Sequence, residues 1–174
     1  MVSSAAWFVA LNLMQNPAPP PKDLSLVLSC GSQAGEVQLD IHNPDQADTA
    51  VLLGIALANG RWYLPRELVV ELRRSGSSDV ENLLYQSPSN IAGRMDHWVV
   101  ALPAQARFGV TLRAADFLAT SPARTGAPPE ELKVRLTGRP IASDLNVDMT
   151  GMKTWRVWTG ITSSNALRLS DCPR

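Results

Sequence analysis

Two histidines and two cysteines are the scarce reactive side chains of a 174-residue sequence in which 45% of the residues are hydrophobic. Hydrolysis by a nucleophile, base and acid needs a base that is itself held by a carboxylate. Only His42 and His97 qualify, and no Gly-x-Ser-x-Gly elbow accompanies them. His97 has the richer surroundings, in Arg94-Met95-Asp96-His97-Trp98. One reading makes Arg94, Asp96 and His97 a cluster for an anionic or sugar-like ligand, the centre of a hydrolase or carbohydrate-active protein. In the other, Arg94 or Asp96 fixes a loop, Trp98 enters the core and His97 faces water. The second is preferred, and no catalytic residue is assigned. Glu67, Glu71 and Glu130-Glu131 have no partner that sequence identifies.

Zinc asks for several Cys and His ligands at short spacing, and two of each, far apart, do not supply them. Glycine-rich phosphate loops are likewise missing, so no cofactor is expected. The metal alternative is calcium, because Asp144, Asn146 and Asp148 match the first three oxygen positions of an EF-hand loop. Met149 and Trp155 then stand where that loop needs Gly and Glu. The alternation of Leu145, Val147 and Met149 fits an ordinary edge strand instead.

Trp155 and Trp158 are three apart, so on a strand one points inward and the other outward. An outward tryptophan beside Arg156 and Lys153 marks a surface for a protein partner, since Trp and Arg are enriched at binding hot spots. The competing reading places these rings in a core. Sixteen basic and sixteen acidic residues cancel, which argues against a nucleic-acid binder.

Cys30 and Cys172 admit three readings. A bridge staples the first and last strands of an exported protein. Two reduced thiols behave as small apolar side chains in a cytosolic one. Lipidation at Cys30 is suggested by Val27-Leu28-Ser29-Cys30-Gly31-Ser32. The apolar stretch before that cysteine is shorter than a usual signal core and alternates as a strand does.

The elements that position these residues repeat with a period of two. Leu24, Leu26 and Leu28 alternate with polar positions, as do Val37, Leu39 and Ile41. Leu68, Val70 and Leu72, then Phe108, Val110 and Leu112, and then Leu132, Val134 and Leu136 continue the pattern. Each segment therefore presents one apolar and one wet face, as antiparallel sheet packed on one side requires. Asn43-Pro44-Asp45, Asn59-Gly60, Ser75-Gly76-Ser77, Ser87-Pro88 and Gly138-Arg139-Pro140 break the chain at short intervals. Asn59-Gly60 predicts a hairpin, and Ala114 to Leu118 leaves room for one helical turn. The expectation is an all-β, antiparallel sandwich of eight to ten short strands.

Residues 5–14 form an apolar run too short to span a bilayer, which takes about 20 residues as a helix. It reads either as the core of an export signal or as a short element covering a domain edge. Pro17, Pro19, Pro20 and Pro21 follow as an extended linker. Residues 1–21 are thus read as a leader plus linker, and 22–174 as the folded domain.

The order Asn43-Pro44, Leu53-Gly54, Tyr63-x-Pro65-x-x-Leu68, Ala92-Gly93-Arg94-x-Asp96-x-Trp98, Leu102-Pro103, Trp158-x-Gly160 and Ser164-Asn165-x-Leu167 resembles uncharacterised, mostly exported bacterial proteins with an immunoglobulin-like β-sandwich. The resemblance covers most of residues 24–170 and rests on structural punctuation. It implies a fold and an extracytoplasmic address, and no activity. The Cys-Trp-Cys spacing of antibody domains is missing. The functional expectation is a non-enzymatic exported module that binds or scaffolds a protein or envelope partner. Besides the hydrolase, a self-associating structural envelope protein is the alternative, and a cytoplasmic address is the alternative location.

Overall fold

The computed structural model describes residues 22–57, 62–86, 95–119, 127–140 and 156–173. The apolar leader, the Asn59-Gly60 turn, Arg94, the Asp144, Asn146 and Asp148 set and Trp155 lie outside the described residues.

The strands are β1 (Ser25–Cys30), β2 (Glu36–His42), β3 (Thr49–Leu57), β4 (Trp62–Leu64), β5 (Leu68–Arg74), β6 (Val80–Tyr85) and β7 (Met95–Leu102). They continue with β8 (Arg107–Arg113), β9 (Phe117–Ala119), β10 (Pro129–Thr137), β11 (Arg156–Val157), β12 (Ile161–Ser163) and β13 (Leu167–Arg168). The expected all-β class is found, and the single helical turn before Leu118 is a 3-10 turn at Ala114–Asp116. The expected strand number is too low. Thirteen strands occur among the described residues, and five of them have only two or three residues. Segments that short hold barely one alternation, so they leave no repeat to read.

Three sheets form. One runs β1-β2-β8, a second runs β12-β10-β5-β6-β9 with β13 also on β10, and a third places β7 on one side of β3 and β4 and β11 on the other. All pairs are antiparallel except β11, which lies parallel to β3. The alternating segments behave as their period requires. On β2, Val37, Leu39 and Ile41 are buried while their neighbours are half-buried. Leu68, Val70 and Leu72 do the same on β5. Strand β3 departs from alternation, with Thr49 through Gly54 all buried. Side chains from the three sheets meet in one cluster that includes Leu26, Leu39, Leu53, Val70, Leu102, Val134, Leu136 and Trp158.

The outer face of β5 and β10 is polar and cross-linked. Arg73 pairs with Glu131 and Arg135 with Glu71, both through N–O contacts under 3 Å (2.7 and 2.8 Å). These cross-strand charge pairs suit a face bathed in solvent.

The punctuation residues hold the corners. Strand β2 passes into β3, and β7 into β8, at a shared bend organised by Asn43. Its buried Nδ2 donates to the carbonyls of Ala47 (2.9 Å), Leu102 (3.1 Å) and Pro103 (3.0 Å), and its Oδ1 accepts from Asp45 N–H (3.1 Å). Gly54 sits at a register shift in β3, at φ +155. A Cβ there would run into the carbonyl of Leu64, so only glycine allows this approach. Trp158 lies between two other glycines. A Cβ on Gly138 would come within 2.5 Å of Trp158 Cε3, and one on Gly160 within 2.8 Å of Cζ2.

Cys30 and Cys172 are joined by a disulfide, with Cα atoms 5.2 Å apart. Of the three cysteine readings, the bridge is therefore the one found.

Candidate functional site

The richest sequence motif, Asp96-His97-Trp98, falls on β7, whose register against β3 decides what it can do. Ala56 faces Asp96, Ile55 faces His97 and Gly54 faces Trp98. Neighbours on a strand point to opposite faces. Asp96 and Trp98 therefore share one face, and His97 projects from the other. A carboxylate and imidazole divided by the sheet do not make an acid–base pair, so the geometry needed for the hydrolase reading is not formed by these two. His97 is exposed, while Trp98 is half-buried and packs against the core cluster.

The face that carries Trp98 is built around a small residue. Ala56 on β3 leaves room above the strand, and the Trp98 ring reaches across to Tyr63 on β4. The two ring centroids are 5.1 Å apart, tilted by 53°. Tyr63 belongs to this face because it is paired with Ala56. Beside these rings lies a groove of about 540 Å³ lined by Ala56, Tyr63, His97, Trp98, Val99, Val100 and Phe108. Phe108 comes from β8, just past the bend held by Asn43. Aromatic side chains thus line a groove that runs along β7.

Among the described residues strand β7 pairs with β3 alone, over Met95 to Leu102, and on its other edge it has no strand partner. Large side chains are exposed on this sheet, with Met95 at 62% on β7 and, across β3 on β4, Trp62 at 54% and Tyr63 at 52%. Leu57, paired with both Trp62 and Met95, links these two across the sheet. These exposed apolar side chains contrast with the ion-paired outer face of β5 and β10.

The other sequence candidates are dispersed. Arg156 is exposed on β11, with its carbonyl accepting from Thr49 Oγ1 at 2.9 Å. Trp158, read as part of a partner surface, is instead buried between Gly138 and Gly160. It lies beyond the end of β11, and its N–H donates to the carbonyl of Ala50, so strand parity does not govern it. No group of three His, Cys, Asp or Glu suited to a metal occurs among the described residues. Among those residues no helix is long and apolar enough to cross a membrane.

No protein-family model, curated protein or solved structure matches this chain.

Sequence reasoning had Asp96, His97 and Trp98 but missed Tyr63, Phe108 and Met95 as their companions. The available signal was the small residue Ala56, and without the register of β4 and β7 against β3 it has no address.

Proposed function

We propose that this protein is a non-enzymatic binding module of the cell envelope, built on an immunoglobulin-like β-sandwich, that takes up an extended segment of a partner protein along β7. The observation that carries this reading is the eight-residue strand Met95–Leu102, paired on one side only among the described residues. An unpaired edge offers a row of N–H and C=O groups that another strand satisfies. The aromatic groove of Tyr63, Trp98 and Phe108 beside it supplies pockets for alternate side chains. The Cys30–Cys172 bridge supports an oxidising, extracytoplasmic address, where such bonds persist.

The test is amide hydrogen exchange on the full chain with extended peptides that alternate apolar and polar residues. Added peptide is expected to slow exchange within Met95 to Leu102. Saturable binding that leaves those amides unchanged would overturn the reading. Slowed exchange in β7 that grows with protein concentration alone would make a second copy the occupant and overturn the partner assignment.

A further inference from the structure

A second hollow lies at the other end of β8 from the aromatic groove, and it is of a different kind. It has a volume of about 280 Å³ between β2 and β8 on one side and β5, β6 and β10 on the other. Its deep wall is made of the buried side chains Val37, Val70, Leu72, Leu112 and Phe117. Its mouth is at the exposed residues Gly35, Ala114, Pro129 and Pro173. The charged residues at the lining are Glu36 and Arg113, which pair with each other at 3.1 Å. Leu169 and Cys172 form the remaining wall, and the bridge to Cys30 ties that wall to the end of β1.

Protein interiors are close-packed and hold few voids larger than a water molecule. A hollow lined this way gives water few hydrogen-bonding partners, whereas a dry apolar cavity of about 150 Å³ takes up benzene. Scaling from benzene's six carbons, this one holds roughly ten. We propose that it is a binding site for an unbranched alkyl chain of about that length, with the polar end of the ligand at the solvent-exposed mouth. The deep wall offers no polar side chain, so the buried part of the ligand must be hydrocarbon. This site shares no residue with the β7 groove and stands or falls independently of it.

The experiment is methyl NMR titration of the full oxidised chain with 1-decanol and, separately, with decanoate. Shifts are expected at Val37, Leu72, Leu112 and Leu132. A Leu83→Trp variant, which fills the hollow from β6, is expected to bind about tenfold more weakly or worse. No shift up to the solubility limit of either probe, or shifts confined to the β7 groove, would overturn the proposal. Should the variant fail to fold, the wild-type methyl map decides alone. Co-sedimentation with phosphatidylglycerol vesicles then separates the sources. Binding there as well identifies a bilayer acyl chain, and its loss in Leu83→Trp ties it to the hollow. Decanol binding without co-sedimentation identifies a free amphiphile.

Discussion

The carboxamide of Asn165 pairs with both backbone groups of Leu28, accepting from its N–H at 2.7 Å and donating to its carbonyl at 3.0 Å. A side chain thereby does what a neighbouring strand does for β1. Ser164, one residue earlier, treats Val134 in the same manner. Its Oγ accepts from Val134 N–H at 2.9 Å, and its N–H donates to the Val134 carbonyl at 2.8 Å. Two consecutive residues therefore join the sheet of β1 to the sheet of β10. Replacing Asn165 by Ala is expected to cost about 1–3 kcal/mol, because two backbone groups lose partners. Urea denaturation at neutral pH measures it. A loss below the error of that measurement would remove Asn165 as the link.

Asn43 is the more demanding position, since its amide group serves three carbonyls at the bend shared by β2, β3, β7 and β8. Asn43→Ala leaves those acceptors and the Asp45 N–H without this partner in a closed environment. The expected loss is about 2–4 kcal/mol. Asn43→Asp should also destabilise, because a carboxylate has no hydrogen to give the carbonyls. Thermal unfolding of both variants tests the order.

Gly138→Ala and Gly160→Ala each push a methyl group into the Trp158 ring. Overpacking of this kind costs about 1–3 kcal/mol, and more where the backbone cannot move. Trp158 fluorescence should shift toward that of an exposed ring in both variants. An unchanged melting temperature would show that the ring has freedom to move aside.

The Cys30–Cys172 bridge closes a sequence separation of 142 residues. In the chain-entropy account such a loop contributes roughly 4–5 kcal/mol, often less in practice. Reduction is expected to lower the unfolding midpoint accordingly. Cys30→Ser with Cys172→Ser should reproduce that shift without a reductant.

Tyr85 ionises above its ordinary value of 10.0, first because burial disfavours the phenolate and second because Asp116 is nearby. Its ring also meets Phe117 edge-on at 5.6 Å. The folded-state value is the raised one, so the unfolded chain releases this proton first. Stability is complete below pH 10 and is lost as pH rises through the folded value. Phenolate absorbance should show a step displaced above pH 10 that disappears in Tyr85→Phe. The variant should also lose less stability over that range.

The alternation of Val37, Leu39 and Ile41, of Leu68, Val70 and Leu72, and of Val110 and Leu112 was enough to specify strands with one sheltered face. Side-chain direction on a strand is a local property of the backbone, so it is written in consecutive residues. The same holds for the bend at Asn43-Pro44, which announces itself by residue type. Strand β3 resists such reading because both its faces are covered, and β11 to β13 are too short to show a repeat.

Which strands become neighbours depends on contacts between residues far apart in the chain, and no local pattern carries that information. Asp96 and His97 part to opposite faces because Met95–Leu102 is a strand, where the sequence suggested a loop or a cluster. That Trp98 meets Tyr63 beside Ala56, that Trp158 withdraws between two glycines, and that an apolar hollow opens beside Cys172 were decided only by the tertiary structure. Each rests on the register and packing of segments that the sequence lists separately and the fold brings together.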